Sequence, residues 1–197
     1  MTMSLTIQSK VSIRLMSGGH SFSVAAVEEL SKSGASEYVV EVATHKTTLV
    51  PITMFREESA QEYLSMVGLR PSHDEVVVFS PEIDDRVAVM AVSKECYAHL
   101  SLVLGGAIAF VSPLQMGRVP KEGAIMELAG DTLFVRIFNG GMIFGEAIEV
   151  RGDADMLFAL ESIDQVYHIY NMRVRAKGDI ERLKRCSKDL FSNLECE

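Results

Sequence analysis

The sequence predicts an α/β protein made of two related halves, each a mixed sheet flanked by helices. Three observations predict it. β-Rich runs alternate with segments of helical period, and no Pro/Gly/Ser linker divides them. The order of strands first, then helix and strand in alternation, occurs twice. Finally, residues 13–23 (I-R-L-M-S-G-G-H-S-F-S) are echoed by residues 135–145 (V-R-I-F-N-G-G-M-I-F-G), 122 positions on. Arg14 matches Arg136, Ser17 matches Asn139, Gly18-Gly19 match Gly140-Gly141, and Phe22 matches Phe144. Each copy reads as strand, Ser/Asn-Gly-Gly turn, strand, because glycine tolerates the positive φ of a tight hairpin.

After the first Gly-Gly segment, Glu37–Val42 and Thr48–Val50 are β-rich. A helix beginning near Glu57 puts Ala60, Tyr63, Leu64 and Val67 on one stripe, and Gly68 closes it. Two more strands, Glu75–Ser80 and Val87–Val92, flank a turn at Pro81 and Asp84-Asp85. Ser93 is the expected N-cap of a second helix burying Cys96, Tyr97, Leu100, Val103 and Leu104, with Gly105-Gly106 as its stop. Ile108–Val111 is a further strand. The second half starts again with strands at Ala124–Leu128, Thr132–Phe138 and Met142–Val150. A long helix from Asp153 turns Met156, Leu157, Leu160, Ile163 and Tyr167 inward. A short strand at Arg173–Ala176 leads to a last helix, Asp179 to Leu194, with Ile180, Leu183, Leu190 and Leu194 on its apolar side. The expected division is 1–117 and 118–197, the second half being the shorter.

The chain of 197 residues is 48% hydrophobic and 23% charged, enough apolar mass for a sizeable core. Its longest apolar stretch, Leu100 to Val111, is broken by two glycines and falls short of the roughly 20 residues that span a membrane. The start, MTMSLTIQSK, has no basic segment followed by an apolar block, so the expected location is cytoplasmic, without a membrane partner. Cys96, Cys186 and Cys196 form no CxxC pair, which argues against a disulfide or zinc framework. The net charge is −8, yet residues 173–189 carry a local +4. An acidic body repels nucleic acid, so only this C-terminal stretch would attract a polyanion.

Four stretches carry a family resemblance: SIRLMSGGHSFSV, TLVPITMFREESAQEYLSMVGL, EVVVFSPEIDDRVAVMAVSKECY and VRIFNGGMIFGEAIEVRGDADMLFAL. Together, from about Val11 to Ile169, they resemble an uncharacterised bacterial family, known as a domain of unknown function, with an actin-like ATPase fold. The most specific piece is Leu49-Val50-Pro51 followed by Phe55, Glu57 and Glu58. The resemblance implies two ribonuclease-H-like subdomains, each opening with a three-stranded meander, that face each other across a cleft. It also implies where chemistry would sit. Active members of the fold place an acidic residue just before the glycine turn of each hairpin, the first for the metal and the second to polarise water.

Neither Leu15-Met16-Ser17-Gly18-Gly19 nor Ile137-Phe138-Asn139-Gly140-Gly141 contains an acid. The favoured expectation is therefore a catalytically silent scaffold, without cofactor or metal, that binds a protein partner or itself. The competing expectation is a nucleotide-binding protein or slow NTPase. Its ATP and magnesium would sit at Ser17, Gly18, Gly19, Asn139, Gly140 and Gly141, with acids recruited from Asp131 or Asp153. Other constellations read as structure. Glu82, Asp84 and Asp85 form a solvated turn, and Cys96 with His99 gives two ligands at helical spacing where a closed metal site needs more. Ser21 and Ser23 have no base–acid pair, and Met16, Met116 and Met142 near the turns offer a soft partner surface.

Overall fold

The computed structural model describes residues 10–16, 37–104, 107–187 and 190–196. Among the described residues the first half holds two three-stranded sheets. In one, β1 (Lys10–Met16), β2 (Glu37–Ala43) and β6 (Ala107–Val111) run parallel with β2 in the middle. β2 is buried almost throughout, as a parallel strand covered on both faces must be. In the other, β3 (Thr47–Pro51) and β4 (Glu75–Phe79) pair antiparallel with a central β5 (Arg86–Ser93). Alternate residues of β5 serve different cores. Ala88, Met90 and Val92 join Ile13, Leu15, Tyr38, Val40 and Val42 beneath α2 (Lys94–Leu104), through Leu100 and Leu104. Val89 and Ala91 face the opposite way, with Val50, onto Ala60 and Leu64 of α1 (Ala60–Met66).

The local signals act as expected. Gly68 adopts φ +79 and ends α1, and Leu69 N–H bonds the Leu64 carbonyl at 2.8 Å. Asp84 and Asp85 both take positive φ, making the two-residue turn bridged by Ile83 and Arg86. Ser93 Oγ accepts the Cys96 N–H at 3.4 Å. Two residues leave their predicted faces: Val67 is exposed, and Tyr97 turns half out to stack on Phe110 at 5.9 Å.

The second half opens with the implied meander, β7 (Glu122–Ala129), β8 (Thr132–Asn139) and β9 (Met142–Glu149). β10 (Arg173–Gly178) and β11 (Asn193–Cys196) add parallel strands, giving the order β11-β10-β7-β8-β9. Against one face pack α3 (Asp153–Tyr167) and α4 (Ile180–Ser187), burying Met156, Ala159, Leu160, Ile163 and Leu183 on Met126, Leu128, Leu133, Val135 and Ile137. Leu157, predicted to point inward, is exposed instead.

The tail corrects the sequence reading. The last helix stops at Ser187, and Leu194 lies on β11 rather than on a continuing helical stripe. Sheet pairing wins because β10 would otherwise present an open edge, and Phe191 packs edge-on against Tyr170 at 5.2 Å. The shorter half thus carries a complete five-stranded sheet.

Two of the basic residues of α4, Arg182 and Arg185, are paired with groups of the same chain. Arg182 donates to the carbonyls of Val150 (3.0 Å) and Gly130 (3.3 Å) and pairs with Asp153 (3.3 Å) and Asp131 (3.5 Å). Arg185 also pairs with Asp153, at 3.2 Å. The Arg185 hydrogen bond, helped by Cys186 and Arg182, holds the Asp153 carboxyl down at about 2. A carboxyl depressed in the folded state stabilises above its unfolded value, so this contribution is present at neutral pH and lost as pH falls from about 4 through about 2. Arg182→Ala is expected to cost about 1–3 kcal/mol in urea unfolding, because two carbonyls lose a charged donor. Arg185→Ala, at a far more exposed side chain, is expected to cost clearly less, because solvent screens its pair. Equal losses from the two would contradict this placement.

Candidate functional site between the two halves

The sheet of the second half is buried on both faces. The face away from α3 and α4 meets the first half, where Ala129, Phe134 and Ala147 pack with Ala43, Leu49 and Leu114. The connecting residues pin the two together. Ser112 and Gln115 cap each other around the helical turn Pro113–Gln115, and Gln115 Nε2 donates to Ser80 Oγ at 2.9 Å. Arg86 Nη2 donates to the Met142 carbonyl at 3.0 Å. Among the described residues these contacts join the two halves.

Of the six candidate nucleotide contacts, Ser17, Gly18 and Gly19 lie outside the described residues. Asn139, Gly140 and Gly141 do form the β8–β9 turn, and it stands in solvent. Asn139 N–H donates to Gly141 O and Gly140 N–H to Lys121 O, each at 2.9 Å, with Gly140 at φ +71. Those two N–H groups are spent on carbonyls rather than aimed at a ligand. The first Gly-Gly turn lies outside the described residues, and the described strands of the two copies differ in setting. β8, which carries the second copy, sits mid-way in an antiparallel meander, whereas β1, which carries the first, pairs parallel with β2.

The first hairpin of the second half is β7–β8, turning at Gly130-Asp131. Its strand carries an acid just before the turn: Glu127. Sequence reading missed it because the Arg-x-x-x-Gly-Gly echo pointed to the next turn along, although Glu127-Leu128-Ala129-Gly130 was there to be read.

Glu127 is buried, and Arg14 of β1 reaches across the halves to its carboxylate. The same guanidinium holds Glu41, its neighbour in the β1–β2 register, with Nε at 3.1 Å. Burial works against the charge on Arg14, but hydrogen bonds and attraction from Glu41 and Glu127 outweigh it and raise its pKa. Arg14 on β1 and Glu127 on β7 thus form an ion pair across the halves, and the cation neutralises the acid. Arg136, on the same sheet face, is 3% exposed and donates from Nη2 to Met116 O at 2.6 Å. Burial pushes its pKa down, against the attraction of Glu127 and Asp84. The alternative acids, Asp131 and Asp153, are paired with the arginines of α4. Among the described residues no three His, Cys, Asp or Glu side chains group as a metal site. The Cys96 thiol is pushed up to about 11 by burial and Glu95, so it is protonated and unreactive at neutral pH.

A solved structure from Bacteroides thetaiotaomicron VPI-5482, a protein of actin-like ATPase fold and unknown function, superposes over 96% of this chain and 91% of its own. The TM-score is 0.73 at 15% identity. The chain has the actin-like ATPase fold. The cytoplasmic domain of EpsL, an inner-membrane component of the type II secretion system of Vibrio cholerae, aligns over 94% of this chain and 84% of its own at 16% identity. Its TM-score of 0.44 is too low to carry an argument. No protein-family model and no curated protein matches the chain. Among the described residues, this actin-like chain has no helix long and apolar enough to cross a membrane.

Proposed function

We propose that this actin-like protein is a catalytically silent scaffold, working in the cytoplasm, that binds a protein partner or a second copy of itself. The observation that carries the reading is the Arg14–Glu127 pair. The one carboxylate placed before a first-hairpin turn is bound to an arginine rather than open to a metal or water. Apolar side chains left in solvent support a partner, Phe158 (73% exposed) and Val166 on α3 and Met66 on α1 among them. The basic tail gives little support to nucleic-acid binding, since Arg173, Arg182 and Arg185 are paired with Glu195, Asp131 and Asp153.

ATP with magnesium is expected to leave the melting temperature unchanged and to release no phosphate above a buffer blank. A specific ligand at 100 times its dissociation constant adds about 2.7 kcal/mol of stability. For a chain of this size that is a rise of roughly 5–10 °C. Such a rise, or phosphate release abolished by Glu127→Gln, would overturn the silent reading in favour of a nucleotide-dependent one.

A further inference from the structure

Helix α1 keeps one face on the core and turns the other to solvent. Ala60 and Leu64 bury against Val50, Val89 and Ala91. The Tyr63 hydroxyl fixes the entry to the helix, donating to Met54 O at 2.7 Å and accepting the Arg56 N–H at 2.9 Å. Glu58, Gln61, Glu62, Ser65 and Met66 recur three and four positions apart, so they share the outward face. These five residues line an open cavity of ≈ 580 Å³.

The two ends of this groove differ in chemistry. Its start is acidic: Glu57, Glu58 and Glu62 fall within residues 57–66, a stretch with no base. Among the described residues none of the three is ion-paired, whereas Glu75, Asp153 and Glu195 each hold a cation. Its end is apolar, with Met66 76% and Val67 56% exposed. The helix dipole favours acids in a first turn, but it gives no reason for a methionine and a valine to stand in water beyond them. A methionine is also the side chain that adapts most readily to an apolar partner.

We propose that this groove docks a basic amphipathic segment of a partner protein. The segment sets two Lys or Arg side chains, one helical turn apart, on Glu58 and Glu62, and an apolar side chain beside them on Met66 and Val67. Charge selects the partner: an acidic groove attracts a basic segment and opposes a second copy of a chain whose net charge is −8. Apolar burial supplies the affinity that solvent-screened charge pairs do not. The inference rests on the scaffold reading and names the chemistry of its partner, yet the two fail separately. Nucleotide binding or hydrolysis would sink the scaffold, and neither involves this face.

Fluorescence anisotropy of a labelled peptide of Lys and Leu at helical spacing, titrated with the full chain at physiological ionic strength, tests it. Saturable one-to-one binding is expected, with hydrogen-exchange protection gained over residues 57–67. Glu58→Lys combined with Glu62→Lys should weaken binding about tenfold or more, because two attractive contacts become repulsive. Met66→Ser should weaken it about fivefold or more through lost apolar burial. These side chains lie on the solvent face, so every variant should still melt cooperatively. Glu161→Lys combined with Glu181→Lys, an equal charge change at exposed positions of α3 and α4, should leave the affinity unchanged. A Lys–Ser peptide of the same charge should bind about tenfold more weakly. Absence of saturable binding, a Lys–Ser peptide that binds equally well, protection gained elsewhere, or an equal loss from the α3 and α4 reversals would overturn the assignment.

Discussion

Gly178→Ala is expected to destabilise the protein by about 2–5 kcal/mol. Gly178 ends β10 at φ +80, a region that costs an L-residue roughly 1–2 kcal/mol. Sterics then add to it. A Cβ there would lie 2.0 Å from the carbonyl oxygen of Leu128, and 2.9 and 3.2 Å from that residue's carbonyl carbon and nitrogen. Leu128 is its partner in the β10–β7 register, and the same carbonyl accepts the Asp179 N–H that leads into α4. The obstacle is backbone in the middle of a sheet, so relief requires β10 to move away from β7, an overpacking cost of about 1–3 kcal/mol. Gly141→Ala is the matched control, since a Cβ there meets nothing within 4 Å and φ is not positive. Its urea midpoint should move by less than about 0.5 kcal/mol equivalent. Similar midpoints for the two variants would show that β10 and β7 are not packed at this distance.

Where local chemistry decides, the sequence was readable. The 3.6 period of Met156, Leu160 and Ile163 put α3 on its sheet, and Gly68 and Asp84-Asp85 marked a helix end and a turn that exist. What escaped it depends on partners distant in the chain. Leu190 and Leu194 extend a helical stripe on paper, but the open edge of β10 recruits the tail as β11. The Arg14 and Arg136 echo has the appearance of a duplication, yet among the described residues β1 pairs parallel with β2 while β8 pairs antiparallel with β7 and β9. Glu127 is an unremarkable acid in a strand until β1, 113 residues earlier, delivers Arg14 to it. Tertiary contacts of that separation leave no local period to detect, and the candidate site is made almost entirely of them.

The Arg14 contact should also be the costliest polar interaction to break. Arg14→Met removes the cation shared by Glu41 and Glu127, whose side chains are only 14% and 10% exposed. Stranding a fully buried charge costs about 3–5 kcal/mol. The guanidinium is itself 37% exposed, so water screens part of this, and a loss of about 2–3 kcal/mol is expected. That corresponds to a fall of roughly 4–12 °C in melting temperature. Most of the loss should come from the stranded carboxylates rather than from the missing arginine. Arg14→Met combined with Glu41→Gln and Glu127→Gln should therefore recover stability toward the parent, because a neutral replacement of a whole buried network is close to isoenergetic. A double-mutant cycle between Arg14→Met and Glu127→Gln isolates the bond across the halves, with a coupling of about 1 kcal/mol or more expected. Zero coupling would mean that Arg14 does not hold Glu127 in solution. The carboxylate would then be open to water and metal, and the case for a silent scaffold would lose its main support.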